Sequence, residues 1–208
     1  GALGSVLLVL MIAERTGASR MTLVLAGVAI SNVLGAGIDA IVTLAPDALI
    51  GYSDFRIGGL ANVPMSRIIP AFWVIAAALA AVFSLAGDLD ILALGVDTAR
   101  SLGLAAKRTR LILLALAAAL AGAAVSFSGL LGFVGLIVPH IIRSVTGQES
   151  RLLLAASALG GAAFLTASDL LARLLFAPYE LPVGIILSLA GGPFFIVLLL
   201  RQRGGRLP

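Results

Sequence analysis

Residues 128–151 read SGLLGFVGLIVPHIIRSVTGQESR, and this stretch carries the strongest evidence about the fold. Three glycines open it, and the apolar run that follows is interrupted by Pro139 and His140. Because proline has no N–H, the carbonyl of Gly135 loses its helical donor, and we expect a structural kink at Pro139 and His140. In lipid, the freed carbonyl must find a partner on a neighbouring helix or a water molecule. The stretch therefore predicts a bent helix packed inside a bundle.

The composition of the whole chain agrees with a membrane environment. Of the 208 residues, 61% are hydrophobic and 12% are charged, and the mean hydropathy is +1.16. Soluble domains have about half apolar and a quarter charged residues. The apolar runs approach the roughly 20 residues that a helix needs to cross a bilayer. We therefore expect an all-α fold, a polytopic integral membrane helical bundle.

The same composition argues against several kinds of site. The chain has no cysteine and one histidine, and no cluster of carboxylates, so we expect no catalytic site, no metal site and no cofactor. It lacks the GxxxxGK[ST] motif, so it does not bind ATP through a P-loop. The net charge of +4 fits membrane topology and lipid headgroups better than nucleic acid.

Seven apolar segments are expected to form the helices. They are Ala2–Ala13, Thr22–Pro46, Ile68–Ala86, Leu111–Phe127, Gly129–Val145, Leu152–Leu171 and Val183–Leu200. The first is about one half to two thirds of a full span. We interpret it as a shortened transmembrane helix, because a signal peptide would carry a basic segment before it. The fourth and fifth segments meet almost without a loop, and we expect a tight helical hairpin rather than one broken helix.

The distribution of Lys and Arg among the loops predicts the orientation. One set of loops holds Arg56, Arg67 and Arg173. The other set holds Arg15, Arg20, Arg100, Lys107, Arg108, Arg110, Arg143, Arg151, Arg201, Arg203 and Arg206. The second set, which includes the C-terminus, is expected to be cytoplasmic.

The longest cytoplasmic loop contains LALGVDTARSLGL, from Leu92 to Leu104. We expect one amphipathic helix with Leu92, Val96 and Ala99 on one face, capped by Gly103. Two interpretations stay open. The helix could lie among the lipid headgroups, or it could be the docking site of a soluble partner.

The second segment carries polar residues on one helical face. Asn32, Asp39 and Thr43 recur at i, i+7 and i+11, and Gly35 belongs to a stripe of small residues beside them. Polar groups inside a membrane helix tend to face a cavity or another helix. The face could therefore be the wall of an aqueous path, or it could pack against a neighbouring helix.

The opposite, outer side of the bundle carries two features. The loop Asp47–Arg67 is expected to form a short helix across the mouth of the bundle. Asp169 and Arg173 are four residues apart at the outer end of the sixth segment, a spacing that fits an ion pair within the helix. Alternatively, Arg173 could dock an acidic partner.

Four motifs together resemble one known family, the FecCD-type permeases, which are membrane subunits of ABC importers for iron-siderophores, haem and cobalamin. The motifs are LALGVDTARSLGL (Leu92–Leu104), GFVGLIVPHIIR (Gly132–Arg143), LLARLLFAPYELPVGI (Leu170–Ile185) and GGPFFIVLL (Gly191–Leu199). The resemblance implies a single transmembrane permease domain over residues 1–208. Family members have ten spans, so about six to seven would be present here and the first three would be missing.

The resemblance also implies partners and residue roles. Two permease copies would form a homodimer in the bacterial cytoplasmic (inner) membrane, around a central path lined by the second and last segments. Gly17–Met21 and Leu44–Ile50 would be its inner and outer gates. Residues 88–110 would form the coupling loop on cytoplasmic ATP-binding subunits, and Arg173 would contact an extracytoplasmic substrate-binding protein. The residues expected to couple to the ATPase are Leu92, Gly95, Ala99, Arg100 and Gly103.

Two alternatives to an ABC importer permease follow from the residues. An ion-coupled secondary transporter would use Asp39, His140 and Asp169 as proton or ion sites. A permease fragment that cannot assemble would not transport at all.

Overall fold

The computed structural model describes Gly4, Leu8 and residues 20–147, 149–176, 178–179 and 181–203. Nine helices and no strand occur over these residues. In chain order they are α1 (Arg20–Leu44), α2 (Ala48–Ile57), α3 (Met65–Ser84), α4 (Ala86–Ala93), α5 (Val96–Ser101), α6 (Ala106–Ser128), α7 (Val134–Thr146), α8 (Ser150–Leu175) and α9 (Val183–Arg203). Apart from the two isolated positions, the expected first segment lies outside the described residues. So do Arg15, most of the expected inner gate and the C-terminal tail from residue 204.

The expected all-α membrane bundle is confirmed. By length and composition, α1, α3, α6 and α8 can each cross a membrane, and α7 and the described apolar part of α9 are shorter apolar helices. The loop Asp47–Arg67 contains the expected short helix, α2. Four long apolar helices in one chain of this size define an integral membrane protein.

Two groups of helices make up the part of the bundle that the structure describes. In the first, α3 packs along α6, and in the second, α7 packs along α8 while α9 contacts both. The interfaces use small residues, since Ala71 and Ala78 of α3 and Ala118 of α6 are buried. A Cβ on Gly160 of α8 would lie 3.3 Å from Ile142 Cδ1 of α7. Small residues let helices approach closely, which favours packing inside a membrane.

The connection between α6 and α7 differs from the expected hairpin. They are separate helices, but α7 begins at Val134 rather than at Gly129, and each packs mainly in its own group. The chain turns through positive φ angles at Gly129 (69°) and Phe133 (66°), which end one helix and delay the next. Helix α7 continues through Pro139, and the kink expected at Pro139 and His140 remains a prediction.

The prediction of one helix over Leu92–Leu104 is wrong, because this stretch folds as parts of two helices. Leu92 belongs to α4, and Gly95 precedes α5 with a φ of 111° that breaks the helix between them. Leu92 therefore does not share a helical face with Ala99. The cap at Gly103 is confirmed: its φ is 83°, and Leu104 N–H donates to Ala99 O at 2.9 Å. With Gly103 N–H bonded to Arg100 O, this is a Schellman motif.

Candidate functional site: the two ends of the bundle

At one end of the bundle, backbone hydrogen bonds join the end of α2, the α6–α7 connection and the start of α9. We call this junction, formed by Gly58, Gly129 and Gly184 with their neighbours, the glycine clasp. Gly59 N–H donates to Ser128 O and Leu130 N–H donates to Phe55 O, each at 2.9 Å, and Gly184 N–H donates to Gly58 O at 3.3 Å. The clasp therefore ties α2 both to the α6–α7 connection and to the start of α9.

The clasp requires glycine for two different reasons. Gly58 and Gly129 have φ angles of 74° and 69°, a region that L-residues with a Cβ rarely adopt. Gly184 is needed for space, because a Cβ there would overlap the carbonyl oxygen of Ile57 and lie 2.9 Å from that of Gly58. These glycines allow backbone to touch backbone, so the clasp fixes the position of α2 within narrow limits.

Beside the clasp lies an open cleft of about 580 Å³. Its charged and amide residues are Asp54, Asn62, Arg67, Asp169 and Arg173. Asp169 and Arg173 form the ion pair that their spacing predicts, with Nε 2.8 Å from Oδ2, and the two side chains are 20% and 45% exposed, respectively. The pair thus holds Arg173 at the rim of the cleft while leaving part of its guanidinium accessible.

The polar residues of α1 do not converge on a closed site. Asn32, Asp39 and Thr43 are exposed and Gly35 is half-buried, but Val33 is also 72% exposed. The Thr43 hydroxyl donates to the backbone oxygen of Asp39 at 2.7 Å. Because α1 is exposed nearly all round, exposure does not distinguish its polar face from its apolar one. The role of this face as the wall of a path remains a prediction.

The opposite end of the bundle is formed by α4, α5 and the ends of their neighbours. Ala99 is completely buried and anchors α5, whereas Leu94, Val96 and Leu102 expose large apolar side chains around it. Arg100 is exposed and lies 3.6 Å from Asp97, one turn earlier. A short helix with one buried anchor and an exposed apolar rim can dock a partner or lie in lipid headgroups.

The residues expected for ion coupling do not form a cluster. Asp39 is on α1, the exposed His140 is on α7, and Asp169 is paired on α8. No group of three or more His, Cys, Asp or Glu side chains that could hold a metal ion occurs among the described residues. The geometry of these three positions therefore gives no support to a shared ion site.

Sequence reasoning missed two features that position these ends. Phe133 has a φ of 66°, a strained conformation for a bulky residue, and its ring lies so close to Gly191 that a Cβ there would overlap it. At the α5 end, Ser150 N–H of α8 donates to Asp90 Oδ1 of α4 at 3.0 Å. The Gly191-Gly192 pair was a signal for the first contact. The second joins positions 60 residues apart, and no local pattern indicates it.

Comparison with known proteins identifies the family. The sequence pattern of the FecCD transport family matches residues 1–201, nearly the whole chain. The chain belongs to the FecCD transport family. This confirms the resemblance that the four motifs suggested.

Individual FecCD relatives are described as importer permeases. The hemin transport system permease protein HmuU of Yersinia pestis is 42% identical over 88% of this chain and 55% of its own length. The cobalamin import system permease protein BtuC of Halobacterium salinarum is 40% identical over 96% of this chain and 54% of its own length. The chain therefore spans about half the length of the curated relatives that it matches.

A solved transporter structure shares the fold. It is described as an inward-facing conformation of an ABC transporter of the metal-chelate type. It superposes with a TM-score of 0.85 at 26% identity, over 95% of this chain and 64% of that one. The helix arrangement found here is thus that of an ABC transporter permease.

Proposed function

We propose that this chain is the permease part of an ABC importer that moves a metal chelate across the bacterial cytoplasmic membrane. The observation that carries the proposal is the FecCD match over residues 1–201 together with an α5 that presents an exposed apolar rim. Haem, cobalamin, iron(3+)-hydroxamate and iron(3+)-citrate, named in the descriptions of relatives, define the substrate class. ATP hydrolysis is assigned to a partner subunit.

The α5 end is the proposed contact with the cytoplasmic ATP-binding subunits. Within the coupling loop, residues 88–110, Ala99 holds α5 in place while Leu94, Val96 and Leu102 are free to enter an apolar groove on the ATPase. The Schellman motif at Gly103 fixes where α5 ends. A rigid, anchored helix transmits displacement better than a flexible loop. The C-terminus and this end are assigned to the cytoplasm.

The α2 end is the proposed extracytoplasmic face. Arg173, held by Asp169 at the rim of the cleft, would meet an acidic group on the substrate-binding protein. The Asn32–Asp39–Thr43 face of α1 would line the path between two permease copies in a homodimer. Helix α1 is nearly completely exposed, with only 6% of its apolar part buried, so its surface is available for contact with a second copy.

The proposal is tested by uptake into proteoliposomes containing the permease, its ATPase subunit and its binding protein. Labelled haem, cobalamin, iron(3+)-hydroxamate and iron(3+)-citrate are offered separately. Uptake of one of them should require ATP and the ATPase subunit, and should persist when ionophores collapse proton and sodium gradients. Uptake that survives omission of ATP but is lost with ionophores would instead assign the protein to the secondary transporters.

A further inference from the structure

The two helix groups of the bundle are joined at both ends. At the α2 end the glycine clasp links the α6–α7 connection to α9 and α2. At the α5 end, α4 extends from the α3–α6 group and contacts α8 of the other group. Displacement of α5 can therefore reach α7, α8 and α9 by two routes: along the distant clasp, or directly through the contact between α4 and α8.

The contact between α4 and α8 contains one specific polar bond. The backbone N–H of Ser150, the first residue of α8, donates to Asp90 Oδ1 at 3.0 Å. The first N–H groups of a helix have no partner within the helix. Glu149, at the N-cap position, makes no side-chain capping bond. Asp90 thus caps α8 from a different helix, and its carboxylate also meets the positive end of the helix dipole.

Helix α8 carries this contact to the other end of the bundle. It has 26 residues, which at 1.5 Å per residue is about 39 Å, and it ends beside the Asp169–Arg173 pair. Helix α7, with 13 residues, packs along part of it. Displacement of Ser150 would therefore move one continuous helix that reaches from the α5 end to the cleft.

We propose that Asp90 is a positioning residue for transport: its capping bond to α8 transmits movement of the coupling segment to the α7–α9 group. The inference rests on the proposed function, since the ATPase supplies the movement. Asp90 is assigned no contact with substrate or nucleotide. Its loss should leave ATP hydrolysis possible while fewer substrate molecules cross the membrane for each ATP.

The bond can be removed from either side. Asp90→Ala deletes the acceptor, and Ser150→Pro deletes the donor. Proline suits the first position of a helix, and Glu149 already has the extended ψ of 116° that the residue before a proline prefers. Ser150→Pro therefore keeps α8 intact. Glu149→Ala is the matched control, because Glu149 is an exposed carboxylate at the same end of α8 and makes no side-chain capping bond.

The experiment measures uptake per ATP hydrolysed by the complete importer in proteoliposomes, with whichever of the four chelates gives the highest uptake. Asp90→Ala and Ser150→Pro should each lower this ratio at least about fivefold, the lower range of known coupling effects. The double variant should be no worse than either single variant, because both remove the same bond. Asp90→Asn keeps an oxygen acceptor and should recover part of the ratio. Glu149→Ala should match the wild type.

Copurification with the ATPase subunit and the melting temperature establish that each variant is assembled. An assembled Ser150→Pro variant with the wild-type ratio overturns the inference, as does additive loss in the double variant or equal loss in Glu149→Ala. Each of these results is obtained with a wild-type importer that works, so it is distinct from failure of the proposed function. If the wild-type importer shows no ATP-driven uptake, the proposed function falls and the inference falls with it.

Discussion

The glycine clasp makes a quantitative prediction at Gly184. Alanine there places a Cβ onto the Ile57 carbonyl oxygen, 2.9 Å from the Gly58 carbonyl oxygen and 3.0 Å from the Ile57 carbonyl carbon. All three atoms are backbone, so no side-chain rotation relieves the overlap. Either α9 or α2 must shift, and the hydrogen bond from Gly184 N–H to Gly58 O is lost with that shift.

Two costs add at this position. Overpacking a close contact costs about 1–3 kcal/mol, and losing the hydrogen bond costs about 0.5–1.5 kcal/mol. The free energy of unfolding should therefore fall by roughly 2–4 kcal/mol. At about 2–4 °C per kcal/mol for a domain of this size, the melting temperature should fall by about 4–16 °C.

Thermal unfolding of the purified permease in detergent measures this effect. Gly192→Ala is the matched control: it lies eight residues further along the same helix, and a Cβ there meets nothing within 4 Å. Since alanine is the better helix former by up to about 1 kcal/mol, the control should melt at the same temperature or slightly higher. Equal melting temperatures for the two variants would refute the close approach of α9 and α2.

Three further experiments test the proposed roles. Gly103→Leu places a side chain at a residue with a φ of 83°, which costs about 1–2 kcal/mol. The variant should reduce ATP-coupled transport without preventing membrane insertion. Unchanged coupling would show that α5 takes no part in the mechanism. Arg173→Glu should weaken affinity for the binding protein by less than tenfold, since exposed ion pairs contribute about 0–1 kcal/mol. The loss should be most visible at low salt. If affinity is unchanged at low salt while Asp169→Asn destabilises the protein, Arg173 serves only the ion pair within α8. Cysteines at the three polar positions of α1 should react with water-soluble maleimides faster than cysteines at Val33 and Val42 in the assembled importer, and uniform protection would place the polar face against protein.

Features set by neighbouring residues could be predicted from the sequence. The long apolar helices, α2 in the outer loop and the Gly103 cap depend on local hydrophobicity and on one residue with a positive φ. The Asp169–Arg173 pair likewise follows from a spacing of four within one helix. These interactions require no knowledge of which helices are neighbours.

Features set by distant contacts could not be predicted. The delayed start of α7 depends on the backbone bonds of the clasp and on the packing of Phe133 against Gly191. The stretch Leu92–Leu104 is divided into two helices at Gly95, which separates Leu92 from Ala99, although the hydrophobic pattern continues across the break. The Asp90–Ser150 bond joins two helices whose contact exists only in the folded bundle.

The central claim is that α5 docks an ATP-binding subunit, and cross-linking at α5 tests it most directly. The chain has no cysteine, and the exposed Arg100 can be replaced by one for attachment of a short photo-activated cross-linker in membrane vesicles. Docking of α5 on the ATPase subunit should give an adduct with that subunit, and the yield should change when ATP is added. Adducts with lipid alone, in vesicles that contain the assembled ATPase subunit, would contradict it.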